Sequence, residues 1–443
     1  MNTKSSIFNT AITLHKAKKI PEAIKLYEKA LKFDSKCTDT LTNLGAALKE
    51  NNQFNAALTC YKKSIMIDPG RASTWTNLGN LYCSMQLFDN ALDAHKNAAD
   101  LAPESPGHLF NKGLVYFYSN KLDEAIYHFD EILTAEPNNA QAHWHKALSL
   151  LGQGKLSEGF SEYEWRFKIN SSISKFKGKK DWKGEPLENR SILITSEQGF
   201  GDIIQFSRYI AHFKNKYRPA KIILQTRDEL VEILETLDSV DEVVSNKHQI
   251  ITYDFSLALL SIPNIVNISI DDIGNEVPYL KTLGGHDKKI NANSATKKVG
   301  LIWAGKTTPK DRSCRLEDLL PLLYTHSAEF FSFQLGDRRS DINQIGVSGL
   351  ITDLGDKISN FADTATLMKQ MDLLITVDSG PAHLAGALGI KTWVLLLFCS
   401  DWRWLLNRTN SPWYPTLKLY RQTKPNCWND AINQLISDFN NYF

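Results

Sequence analysis

No C-x-x-C pair and no zinc-ligand spacing occurs among the six cysteines, Cys37, Cys60, Cys83, Cys314, Cys399 and Cys427. A disulfide framework and a structural metal clip are therefore not expected, and the thiols read as reduced in a reducing compartment. Long hydrophobic runs are missing too. The longest, Trp393 to Cys399, is far too short to span a bilayer. Met1 to Leu14 is polar and has no signal-peptide core. Charge of one sign is also lacking: a formal net charge of +2 gives no basic field for nucleic acid or an anionic membrane. No G-x-G-x-x-G turn with a placed ribose acid is present, which argues against a nicotinamide enzyme. These absences leave a cytoplasmic globular protein as the expectation. Its 443 residues exceed one ordinary core, so two or three domains are expected.

What is present first is a period. Gly45, Gly79 and Gly113 stand 34 residues apart; Ala57, Ala91 and Ala125 keep the step, as do Pro69, Pro103 and Pro137. Glycine and alanine let helices approach, Trp75, Tyr82, Tyr61 and Phe129 fill between them, and a proline follows each second helix. The pattern resembles the tetratricopeptide repeat, a helix–turn–helix unit that stacks into a superhelix. Units are expected from near Lys4, Thr38, Ala72, Pro106 and Ala140. The first has Ser35 at the proline position, and the last has Ala147 for glycine and Gly159 for alanine.

One polar position keeps the step: Asn9, Asn43, Asn77 and Asn111, with His145 next in line. Each falls on the first helix of its unit. Asn there is either tolerated beside a helix contact or part of a ladder. An Asn side chain offers donor and acceptor together, so a ladder can grip an extended peptide main chain without reading its sequence. This is similar to the asparagine ladder of the O-linked N-acetylglucosamine transferases, with His145 breaking it. Phe110, Phe117 and Trp144 are expected either to line the groove or to pack against the next domain.

Asn170 to Gly184 reads as a linker, with Trp182 as its anchor. Beyond it, apolar runs alternate with helical patterns. Strands are expected at Ser191–Ser196, Lys221–Thr226, Asp241–Ser245, Tyr253–Leu257, Val299–Ala304, Phe330–Leu335, Leu373–Val377 and Thr392–Phe398. Helices are expected from Gly199 through Phe213, over Asp228–Leu237, Leu316–Tyr324 and Trp428–Phe439. Such alternation means a parallel sheet covered on both faces. Gly284 to Lys298 is polar and reads as a hinge between two Rossmann-like halves. The divisions are thus 1–168 repeats, 169–190 linker, 191–285 first half, 286–298 hinge and 299–443 second half.

Two strand–turn–helix units carry chemistry. The second half has Leu-Leu-Ile-Thr-Val followed by Asp378-Ser379-Gly380-Pro381-Ala382-His383-Leu384-Ala385. Asp378, Ser379 and Gly380 are turn and cap residues, and Pro381 suits the first helical turn. Free N–H groups and the positive dipole end would face outward there, a seat for phosphate or simply a capped connection. Lys306, Lys310 and Arg312 follow the Val299–Ala304 strand, either as charge partners for phosphate or as a solvated basic loop. The first half has Glu197-Gln198-Gly199-Phe200-Gly201-Asp202.

Together, Gly199-x-Gly201-Asp202 and the Asp378–Ala385 motif resemble the heptosyltransferases, over roughly Ser191 to Gln422. These are inverting glycosyltransferases of the two-domain GT-B fold. With tetratricopeptide repeats in front, the chain is similar to bacterial protein glycosyltransferases, including flagellin-modifying ones. Trp402-Arg403-Trp404, Ser411-Pro412-Trp413-Tyr414-Pro415 and Arg421-Gln422 also look like that subgroup. The resemblance implies Asp202 as the base on the acceptor hydroxyl, with Glu197 in reserve; otherwise Asp202 caps its helix. It implies that Gly199, Gly201, Asp378, Ser379, Gly380 and His383 belong to the donor side, with Asp378 ordering the turn. The other reading of His383 is a buried helix residue. No metal and no cofactor are implied: the donor, a nucleotide-sugar, is a substrate, and the acceptor is a protein in the repeat groove. The sequence departs from heptosyltransferases at Asp311-Arg312-Ser313-Cys314-Arg315-Leu316, where Lys-x-Trp-Pro is usual. Two other readings stay open: a scaffold that binds nucleotide-sugar without turnover, and a transferase acting on lipid-linked saccharide.

Overall fold

The computed structural model describes residues 4–105, 107–169, 180–247, 251–273, 276–283, 288–290, 296–307 and 310–442. They form two compact units, Met1–Ser149 and Leu150–Phe443.

The first unit is helical. Antiparallel pairs run α1 (Lys4–Lys16) with α2 (Ile20–Phe33), α3 (Thr38–Glu50) with α4 (Phe54–Ile67), α5 (Ala72–Ser84) with α6 (Phe88–Leu101), and α7 (Gly107–Tyr118) with α8 (Leu122–Ala135). A ninth helix, α9 (Ala140–Gly152), begins the next unit. The repeated glycine has a steric cause. A Cβ on Gly45, Gly79 or Gly113 would stand 2.6 Å from the ring of Tyr61, His95 or Phe129 respectively. Each first helix therefore lies directly on an aromatic or imidazole ring of its partner. Between the helices of a pair, Lys18, Asn52, Gln86 and Asn120 all take positive φ, near 60°. That left-handed residue recurs at the same step although no glycine marks it.

Asn9 is exposed, and Asn43, Asn77 and Asn111 are half-buried on α1, α3, α5 and α7. The Asn43 amide donates to the Asp39 carbonyl at 2.8 Å. His145 on α9 sits among the rings of Phe110, Phe117 and Phe129, with centroids 5.4, 6.0 and 5.7 Å away. Phe110 and Phe117 thus pack inside the repeat unit around His145.

The second unit starts with α10 (Leu156–Tyr163) and α11 (Arg166–Ile169). The first sheet follows: β1 (Ser191–Thr195), β2 (Lys221–Thr226), β3 (Glu242–Ser245) and β4 (Phe255–Ala258), all parallel in the order β3-β2-β1-β4. Its helices include α12 (Phe200–Ser207), α13 (Tyr209–Tyr217), α14 (Asp228–Leu234) and α15 (Ile262–Val266). The helix expected from Gly199 through Phe213 is therefore two helices, parted at Arg208.

The second sheet holds β5 (Lys297–Ile302), β6 (Ala328–Ser332), β7 (Ile351–Asp353), β8 (Leu373–Val377), β9 (Thr392–Leu396) and β10 (Leu417–Arg421). All six run parallel, in the order β10-β9-β8-β5-β6-β7. Its helices are α16 (Asp341–Ile345), α17 (Phe361–Met368), α18 (Gly380–Ala387) and α19 (Asn429–Tyr442). Strand order reverses beside the first strand of each sheet, between β1 and β4 and between β5 and β8. In open α/β sheets ligands bind at such reversals, outside the carboxyl ends of the strands. Leu316–Tyr324, expected as an α-helix, is a 3₁₀ helix, consistent with Pro321 inside it removing a backbone donor.

Residues 170–179 of the expected linker lie outside the described residues, as do 284–287 and 291–295 of the expected hinge. Trp182 packs on Phe213 and Tyr217, with centroids 5.3 and 4.7 Å away, and its Nε1 donates to the Glu185 carbonyl at 2.7 Å. Among the described residues no helix is long and apolar enough to cross a membrane.

Candidate active site

The carboxyl end of β8 runs straight into the turn Asp378–Ser379–Gly380 and then α18. All five β8 residues are buried, so the turn is fixed from below. Gly305, after β5, comes close from the side: a Cβ there would lie 3.3 Å from the Asp378 carbonyl oxygen. The Asp378 carboxylate is itself buried and pairs with Arg312 at 3.1 Å. Burial pushes the Asp378 carboxyl up from its usual range, against the pull of Arg312. The Asp378 carboxylate is therefore engaged by Arg312, from the segment after β5. Ser379 Oγ lies 3.2 Å from Thr376 Oγ1, leaving α18 without a side-chain cap at its N-terminus.

The three basic residues separate. Arg312 sits on the turn through Asp378, Lys310 Nζ reaches within 3.5 Å of the Cys399 carbonyl after β9, and Lys306 is exposed. His383 is buried one turn into α18. Its Nδ1 lies 3.1 Å from the Tyr414 hydroxyl, and its ring stacks on Trp404 at 5.1 Å. Desolvation lowers its pKa to about 3, so the imidazole is neutral.

In the first half, Gly199 N donates to Asp202 Oδ2 at 2.7 Å, so Asp202 closes the first turn of α12. The N–H of Gly199 is spent there. Asp202 Oδ1 lies 2.5 Å from Arg403 Nη2, a contact between the two halves. Gly201 meets α18 directly: a Cβ on it would stand 2.6 Å from His383 Cδ2. The two glycine turns, read as separate motifs, are one junction.

Glu197 is used differently. Its two carboxylate oxygens take Arg166 Nε at 3.2 Å and Arg166 Nη2 at 2.6 Å, with both side chains buried. Arg166 also holds Glu164 at 2.5 Å and Ser261 Oγ at 2.8 Å. This forked pair ties α11 to the end of β1 and engages both oxygens of the Glu197 carboxylate.

The turn Trp402–Trp404 is the element whose place the sequence did not reveal. Trp402 packs edge-on against Phe160 and Phe206, with centroids 5.8 and 6.4 Å away. Asp401 starts the turn by accepting the Arg403 N–H at 3.0 Å and pairs with Arg403 Nη1 at 2.8 Å. Burial works against the Arg403 charge, but Asp401 and Asp202 outweigh it and hold the guanidinium protonated. An acid two residues before an Arg between tryptophans was the available signal, since Asp is a favoured cap.

Helical repeats joined to two parallel Rossmann-like sheets, with a turn of this kind at the second reversal, define the class. The chain carries tetratricopeptide repeats, matched over residues 38–71, 76–140 and 110–164. Residues 348–398, from just before β7 through β9, match Glycosyltransferase family 9 (heptosyltransferase). The α/β region is consistent with a GT-B-like domain.

Particular relatives are more distant. Protein FlbA of Caulobacter vibrioides is 25% identical over 323 residues, covering 66% of this chain and 53% of FlbA. The chain thus spans about half the length of that curated relative. A tetratricopeptide repeat protein from Parabacteroides merdae is similar at 17% identity and a TM-score of 0.35, over 39% of this chain and 73% of that one. A thermophilic repeat protein of Thermus thermophilus is similar at 19% identity and a TM-score of 0.35, over 39% and 94%.

Proposed function

We propose that the chain is an inverting, metal-independent glycosyltransferase that moves a sugar from a nucleotide-sugar to a protein hydroxyl. The observation that carries this reading is the Gly201–His383 junction. The junction brings Asp202, the base in this reading, beside the N-terminus of α18, where the reading seats the phosphate. The acceptor oxygen attacks the anomeric carbon from the face opposite the phosphate. The bond from that carbon to the phosphate oxygen breaks, and its electron pair leaves with the nucleotide. The hydroxyl proton passes to Asp202. Arg312, Ser379 and the α18 dipole offset the charge that grows on the leaving phosphate, the task a metal would otherwise serve. Lys310 adds charge from beside the Cys399 carbonyl, after the neighbouring strand β9.

The repeats supply acceptor binding. Asn9, Asn43, Asn77 and Asn111 keep one register on successive first helices, which suits an extended main chain. The cysteines are all free, which fits a cytoplasmic protein.

The test is a thermal-shift and calorimetry screen against UDP-, GDP-, ADP- and CMP-sugars, followed by turnover of whichever binds. A ligand at about 100 times its Kd should stabilise the protein by roughly 2.7 kcal/mol. Binding of one nucleotide class with sugar release supports the reading. Binding without turnover in the presence of protein acceptors supports a nucleotide-sugar-binding scaffold instead.

A further inference from the structure

We propose that Arg403 is the positioning residue for Asp202, acting from the opposite half of the α/β unit. The inference rests on the reading of Asp202 as the base and adds a residue to it. Asp202 is fixed at two points. Oδ2 accepts the Gly199 N–H on its own helix, and Oδ1 is ion-paired with Arg403 Nη2 from the second half at 2.5 Å, without hydrogen-bond geometry. Two tethers at different oxygens fix the plane of a carboxylate, and each oxygen keeps a further lone-pair direction for a hydroxyl proton.

Arg403 is built for this and for little else. Its side chain is 6% exposed, whereas that of Asp202 is 22% exposed. The base thus reaches solvent while its partner does not. Asp401 holds Nη1 at 2.8 Å from behind, so Nη2 projects toward Asp202. A planar fork can serve two acids in line; an ammonium has no such geometry. Trp402 lies 4.4 Å from the guanidinium carbon and Phe206 lies 5.6 Å from it, so aromatic faces confine the group from both halves. Trp404, next in the same turn, stacks on His383 of α18. One short turn therefore addresses both the base and the phosphate-facing helix. A space filler would not be a buried cation, because burying a charge is costly unless it is paired. Its pairing partners here are Asp401 and the base itself.

Misplacing a reacting group by about 1 Å can cost 10²-fold in rate. Arg403→Lys should lower kcat by about that factor, with affinity for the nucleotide-sugar kept. Arg403→Lys, Asp202→Asn and the double variant are assayed for nucleotide release from UDP-, GDP-, ADP- and CMP-sugars. If Arg403 acts through Asp202, the double variant is no slower than Asp202→Asn alone. Asp401→Asn, which loosens the same guanidinium, should show a smaller kcat defect of the same kind; it carries the test if Arg403→Lys fails to fold. Independent, multiplying defects, or a loss of nucleotide-sugar affinity at unchanged kcat, would overturn the proposal. Normal turnover by Asp202→Asn overturns the base reading first and is distinguishable from both.

Discussion

His383 lies on Gly201. A Cβ at Gly201 would stand 2.6 Å from His383 Cδ2 and 3.3 Å from Nε2, so the His383 ring of α18 packs on the backbone of α12 with no room for a side chain at Gly201. The imidazole cannot retreat freely, because Tyr414 holds Nδ1 and Trp404 stacks on its face.

Gly201→Ala should therefore destabilise the α/β unit. Overpacking a close contact costs about 1–3 kcal/mol. Urea unfolding measures it, and turnover should fall with it, since the junction places Asp202. Wild-type stability in this variant would mean that the two helices part easily.

Glu197 and Arg166 predict a different outcome. Breaking a buried ion pair by removing one partner costs about 3–5 kcal/mol, because a charge is left uncompensated. Glu197→Gln should lower the melting temperature markedly while the folded fraction still binds nucleotide-sugar. A catalytic Glu197 would behave in the opposite way, with stability kept and turnover lost.

Two buried imidazoles make stability depend on pH. Desolvation lowers His95 to about 4 and His383 to about 3, against an ordinary value of 6.5. The unfolded chain binds protons that the fold refuses. Their contribution is whole above about pH 6.5 and is lost as pH falls toward these folded values, by at most about 1.4 kcal/mol per pH unit for each group. His95 occupies the ring position held by Tyr61 and Phe129 in neighbouring repeats, and its Nδ1 is buried without a hydrogen bond. His95→Phe should therefore flatten the loss of stability between pH 7 and pH 5, measured by denaturant unfolding at each pH. An unchanged slope would show that His95 is not refusing a proton.

The asparagine ladder is tested by Asn43, Asn77 and Asn111 changed together to Ala. These side chains are half-buried surface groups, so the change should cost little stability. A raised acceptor KM with unchanged nucleotide-sugar affinity is expected. An unchanged acceptor KM would favour a lipid-linked acceptor and leave the repeats to assembly.

The repeat was legible because its markers are local and recur: Gly45, Gly79 and Gly113 each meet a ring of the partner helix, so the glycine returns in three successive copies. The strands of the second unit were legible where they are apolar runs, as in Leu373–Val377. β7 is three residues long with two exposed, and β10 places the polar Lys418 between leucines, so neither reads as a buried parallel strand. α17 escaped notice although Asn360 caps it by accepting the Asp363 N–H at 2.9 Å. The site was legible as two turns and illegible as one junction. Asp202 and Arg403 come from different sheets, and only the packed fold brings them to 2.5 Å. Likewise, nothing local to Glu197 announces that Arg166 on α11 bonds both of its oxygens.

The central claim is tested most directly by comparing wild type and Asp202→Asn on one nucleotide-sugar. Binding is read by calorimetry and sugar transfer by the mass of the protein acceptor. The account predicts that wild type adds a sugar mass, while Asp202→Asn binds the donor with like affinity and adds it about 10²–10⁴-fold more slowly. Equal transfer by both proteins, or no binding of any UDP-, GDP-, ADP- or CMP-sugar by wild type, would contradict it.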